Sequence, residues 1–278
     1  MGDRPYRIGI LGVHADIDYP RSLFRGVRDA VLAEGHTLVA VDDLIPYHTL
    51  INGSAYLTVS TTIASRLDLD VVIFPVGCFV ANLQGDAEKA LDLLQIMDPA
   101  RTLLVERDIE GFRSVIKDGV PGMVDCMRHL IEDCGFQRIA FVSGPEGSRG
   151  AREREGVYFA EMEAHGLEVA PSLFARGDFG GDCADVIERI LDDNPDLECI
   201  CCSCDLIAYT AYQVCQRRKL VVGRDVAITG FDDHPRSAHM DPPLSTVHLT
   251  AYDFGQVAGR EALRMCAGLP QEDRKSVV

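Results

Sequence analysis

Residues 138–165 read RIAFVSGPEGSRGAREREGVYFAEMEAH, and this stretch decides the fold. Arg138–Ser143 is a short apolar run, the length and composition of a buried strand. A glycine- and proline-bearing loop follows, and then Ala151–His165 reads as a helix stopped by Gly166. Working outward, the same strand-then-helix unit recurs. Upstream, the strands are Tyr6–Gly12, Thr37–Val41, Val71–Pro75 and Thr102–Val105, with an edge strand at Ser114–Ile116. The helices between and after them are Arg21–Ala33, Ala55–Leu67, Glu88–Met97 and Pro121–Cys134. Downstream, strands are expected near Leu173–Ala175 and at Glu198–Cys202 and Val226–Gly230. Helices are expected at Cys183–Asp192, Asp205–Arg217 and Tyr252–Ala267. The closing Ser-Val-Val looks like a strand beginning.

Strands alternating with helices build a parallel sheet covered on both faces. Two such runs, of about 130 and 110 residues, predict an α/β protein of two doubly wound lobes. Ligands on such sheets bind beyond the carboxyl ends of the strands, so two lobes would offer a cleft there.

Composition narrows the function classes. The chain has 278 residues and a formal net charge of −16, which repels phosphate backbones and anionic membranes. No apolar run is long enough to span a bilayer, and the N-terminus lacks a signal-peptide pattern. Ten cysteines without an export signal point to a reducing, cytoplasmic setting with free thiols.

Cys199, Cys201, Cys202 and Cys204 contain overlapping C-x-x-C spacings, but on a strand they alternate between faces and cannot close a tetrahedron. Core packing is the better reading. No phosphate-cradling glycine motif, metalloprotease motif or nucleophile elbow is present, and no cofactor is implied. His129 lies inside a helix and reads as a packed or surface residue. His14, after the first strand, could line a cleft. Asp232 and Asp233 follow a strand directly, as hydrogen-bond acceptors for a ligand or as an Asx turn. Arg152 and Arg154 are two apart on a helix, so at most one faces a ligand.

Three stretches then carry a resemblance: FQRIAFVSGPEGSRGAREREGVYFAEMEAHGL, GRDVAITGFDDHPRSAHMDPPLSTVHLTAYDFGQVAGREAL and DGVPGMVDCMRHLIEDCGFQRIAF. Their order and content resemble the effector-binding region of the LacI/GalR repressors. The implied fold is that of type I periplasmic binding proteins, two lobes joined by three crossovers. The implied division is 1–135 with 248–270, and 136–247 with 271–278. The resemblance also implies ligand contacts at Asp118, Arg154, Phe179 and Asp232, and at Cys204 where the family usually has Asn. First-lobe contacts would come from His14–Asp18, Gly77–Phe79 (Cys78 among them) and Arg107.

The expected role is a non-enzymatic sensor domain. It would bind a small polar metabolite, form a homodimer and close on its ligand to control an attached output. Only five residues precede Tyr6, where the repressors carry a helix-turn-helix headpiece. A diguanylate cyclase following the chain is slightly favoured as output, on a likeness to sensor modules of that kind. A repressor without its headpiece is the alternative, and nucleic acid would be reached only through a domain outside this sequence. An enzyme using Asp118, Asp232 and His14 as acid–base groups is the minor reading.

Overall fold

The structure, a computed structural model, describes residues 4–12, 18–41, 62, 64, 66–76, 94, 96–179, 183–271 and 275–276. The chain divides into two compact units, Met1–Asp118 with Thr250–Val278, and Gly119–Leu249.

The first unit holds a six-stranded parallel sheet. Its strands are β1 (Arg7–Leu11), β2 (Thr37–Val41), β3 (Val71–Phe74), β4 (Thr102–Val105), β5 (Arg113–Lys117) and β11 (Lys275–Ser276), in the order β11-β5-β4-β3-β1-β2. Both faces are covered, as the near-continuous apolar strands require. Val71 and Ile73 enter one core with Leu23 and Val27 of helix α1 (Asp18–Ala33) and Phe254 and Ala258 of helix α6 (Ala251–Cys266). Val72 and Phe74, one residue out of phase, enter the opposite core with Leu69 and Leu104. α1 and α6 lie so close that a Cβ on Gly26 or Gly255 would overlap the other helix's backbone.

The second unit is a five-stranded parallel sheet. It comprises β6 (Ile139–Ser143), β7 (Phe174–Arg176), β8 (Cys199–Cys202), β9 (Ala227–Phe231) and β10 (Ser245–Val247), in the order β10-β9-β8-β6-β7. Its helices are α2 (Val120–Arg128), α3 (Arg149–Ala164), α4 (Ala184–Asp193) and α5 (Asp205–Arg218). The strand order reverses between β6 and β8, the place where open α/β sheets hold their ligands. The cysteines divide between the faces as their alternation predicts. Cys202 packs with Cys183 and Cys215 on the α4–α5 side, while Cys201 meets Cys126 of α2.

Two expectations about the division are corrected. Helix α2 belongs to the second unit, so the boundary falls after Asp118 and not after residue 135. The reason is packing: α2 lies beside α3, and Arg128 pairs with Glu161 at 3.2 Å. The tail 271–278, expected in the second lobe, stays with the first, where β11 pairs with Ile116 and Lys117. β10 was not foreseen. The expected helices Ala55–Leu67 and Glu88–Met97 lie mostly outside the described residues.

Candidate ligand-binding site

The site is built at the carboxyl ends of β6, β8 and β9. β9 ends at the fully buried Phe231, and the chain then enters the left-handed region twice, with φ +107° at Asp232 and +48° at Asp233. Such a backbone costs residues with side chains about 1–3 kcal/mol and persists only where neighbours enforce it. Here they do. Asp232 N–H donates to Val247 O at 3.0 Å, and Asp233 N–H to Thr246 Oγ1 at 3.2 Å. His234 N–H donates to Asp205 Oδ2 at 2.8 Å.

Asp205, the first residue of α5, is the hub of this loop. Its buried carboxylate also accepts from Ser237 Oγ and from Thr246 Oγ1, each at 2.6 Å. Tyr209 Oη lies 2.8 Å from Ser237 Oγ and extends the network. Burial raises the Asp205 carboxyl above its ordinary range, against the pull of the groups that donate to it. A Cβ on Gly230 would overlap Asp205 Oδ1, so this strand end has room for glycine alone.

Arg154 reaches the site from α3, whose start is capped by the Ser148 hydroxyl accepting from Ala151 N–H at 3.3 Å. Its guanidinium carbon lies 4.3 Å from the centroid of the Phe231 ring. Its Nε is buried and has no hydrogen-bond partner among the described residues. Stacking on a ring face contributes ~0.5–2 kcal/mol, while a buried donor left unmet costs ~1–3 kcal/mol. Stacking does not use the in-plane N–H, so the Arg154 Nε keeps its capacity to donate. Arg152 is exposed, which settles which of the two arginines is turned inward.

Cys204 sits between β8 and α5, buried. Burial, with the Asp232 charge adding to it and the Arg154 charge opposing, pushes its thiol up to about 12. It is therefore a neutral, weak donor at pH 7 and not a nucleophile. The Phe179 ring lies against the turn after β6, where a Cβ on Gly144 would overlap it. Among the expected residues, then, Arg154, Cys204 and Asp232 share one neighbourhood, and Phe179 stands at the adjoining strand end.

Asp118 and the other expected residues belong to the first unit. Asp18 opens α1 and pairs with Arg21. Arg107 and Asp118 are half-buried at the ends of β4 and β5. Sequence reasoning missed their neighbours: the Tyr19 hydroxyl donates to Glu106, and Lys117 Nζ lies 5.1 Å from the Tyr19 ring centroid. His14 and Cys78 lie outside the described residues. No group of three or more His, Cys, Asp or Glu among the described residues could hold a metal ion.

Residues 127–278 match the family model of the periplasmic binding protein-like domain. The HTH-type transcriptional regulator CelR of Thermobifida fusca is 31% identical over 149 residues, covering 53% of this chain and 42% of CelR. The HTH-type transcriptional repressor CytR of Escherichia coli K12 is 30% identical over 142 residues, covering 51% of this chain and 41% of CytR. The matches thus span less than half the length of these relatives. Among solved structures, the CelR–cellobiose complex superposes with a TM-score of 0.74 at 20% identity, covering 98% of this chain and 81% of that one. The Lac repressor bound to ONPG superposes with a TM-score of 0.79 at 18% identity, covering 100% and 80%. Both curated relatives are transcriptional regulators, which favours the expected alternative, a repressor's effector domain, over a cyclase sensor. With two parallel-sheet lobes and a family model matching residues 127–278, the chain belongs to the periplasmic binding protein-like family.

Proposed function

We propose that this chain is the effector domain of a LacI-type transcription regulator and that its effector is a small polyhydroxylated molecule of the sugar class. In this reading it works as a cytoplasmic homodimer, and DNA is contacted by a separate domain. The observation that carries the proposal is the buried Nε of Arg154, without a hydrogen-bond partner among the described residues, on a guanidinium stacked on Phe231 and within electrostatic reach of the Cys204–Asp232 pair. A guanidinium donor, a carboxylate acceptor and two aromatic rings suit a ring carrying hydroxyls, which donate and accept at once. The CelR structure, solved with cellobiose, supports the same ligand class.

The test is a dye-based thermal shift of this chain against ribose, cellobiose, adenosine, glutamate and citrate. A ligand at 100 times its Kd adds about 2.7 kcal/mol, roughly 5–10 °C for a chain of this size. A rise with a sugar supports the proposal. A rise confined to glutamate or citrate overturns the ligand class, and a flat panel contradicts a sugar effector.

A further inference from the structure

We propose that Cys134, His129 and Asp133 form a surface thiol-oxidation site whose substrate is a peroxide. The local backbone creates it. α2 is a regular helix to Arg128, and His129–Asp133 then widens into a π turn, with Cys134 N–H donating to His129 O at 3.0 Å. In a regular helix, residues five apart point roughly 140° away from each other. The wider turn brings them to one face. Cys134 Sγ lies 3.6 Å from His129 Nε2, and His129 Nδ1 lies 2.9 Å from Asp133 Oδ2. The carboxylate thus holds the ring with its proton on Nδ1, leaving the Nε2 lone pair facing the thiol.

The cluster is open to solvent. His129 and Asp133 side chains are 62% and 74% exposed, and Cys134 is exposed where the other described cysteines are buried or half-buried. The neighbouring charges are engaged elsewhere: Glu132 with His165 at 2.9 Å and Arg128 with Glu161 at 3.2 Å. The cluster has no part in the ligand site built by Arg154.

In the reaction, His129 Nε2 takes the thiol proton and the sulfur electron pair attacks one peroxide oxygen. The S–O bond forms as the O–O bond breaks, giving a sulfenic acid. His129 returns the proton to the leaving oxygen, released as water or an alcohol. Sulfur gives up two electrons and the peroxide gains them.

The experiment treats the chain with limiting hydrogen peroxide, traps sulfenic acid with dimedone and reads each cysteine by mass spectrometry. Wild type, His129→Gln and Asp133→Asn are compared, with melting curves confirming the fold of each. Cys134 is expected to label first. His129→Gln should slow Cys134 by about tenfold or more, the low end of what a positioned base contributes, and leave Cys126 and Cys266 unchanged. Asp133→Asn should slow it less. An unchanged Cys134 rate in both variants, or a wild-type rate no higher than that of Cys126, would overturn the site.

Discussion

The carboxylate of Asp205 accepts the backbone amide of His234 at 2.8 Å, twenty-nine positions along the chain. With Ser237 and Thr246 also donating, this one side chain fixes the left-handed turn that presents Asp232. Asp205→Asn keeps the shape but offers fewer acceptors, and should cost about 2 kcal/mol at pH 7, near 1 kcal/mol for each bond lost.

The same residue makes a pH prediction. Burial raises its carboxyl in the folded chain, so the folded state holds the proton more tightly than the unfolded one. Its contribution is therefore fullest below the ordinary carboxylate range and is lost as pH rises through the raised value. Urea midpoints at pH 4 and pH 7 should show the wild-type advantage over Asp205→Asn shrinking at the higher pH. A widening advantage would reverse the sign.

Two glycines should respond oppositely to alanine. A Cβ on Gly119 would stand 2.8 Å from Phe231 Cζ and 3.1 Å from Leu249 Cδ2, both side chains buried. Overpacking there should destabilise by about 1–3 kcal/mol and disturb the ring beneath Arg154. Gly156, exposed within α3, has nothing within 4 Å of its added Cβ. Gly156→Ala should stabilise by about 0.5–1 kcal/mol through helix propensity alone. Chemical denaturation of both variants checks the pair.

Lys219 ends α5 in the left-handed region, at φ +60°. Glycine is the residue that adopts this geometry without strain. Lys219→Gly should raise the melting temperature by roughly 2–4 °C, about 1 kcal/mol for a chain of this length. A lowered melting temperature would mean the lysine side chain contributes more than its backbone strain costs.

Much of the fold was legible because both sheets bury both faces. β2 and β4 fall where apolar runs stand between helical patterns, and the faces of Cys201 and Cys202 follow from alternation. β10 escaped because it is a three-residue edge strand with little apolar pattern. The unit boundary escaped because it rests on contacts between distant segments, Gly122 against Val247 and Gly119 against Phe231. The site divided in the same way. Arg154, Cys204 and Asp232 were reached through ordered motifs. Asp205, Tyr209, Ser237 and Thr246 were not, since their network joins a helix start, a loop and an edge strand far apart in sequence. Nor does any residue pattern mark the π turn that brings Cys134 to His129.

The most direct measurement is isothermal calorimetry with whichever panel sugar gives the largest thermal shift, titrated into wild type, Arg154→Ala and Arg152→Ala. The Nε of Arg154, without a partner among the described residues, predicts at least about tenfold weaker binding in Arg154→Ala, the loss of one hydrogen bond from a charged donor at ~1.5–3 kcal/mol, with an unchanged fold. Arg152→Ala should bind as wild type does. Equal affinity in all three proteins would contradict a ligand seated on the Arg154–Phe231 stack.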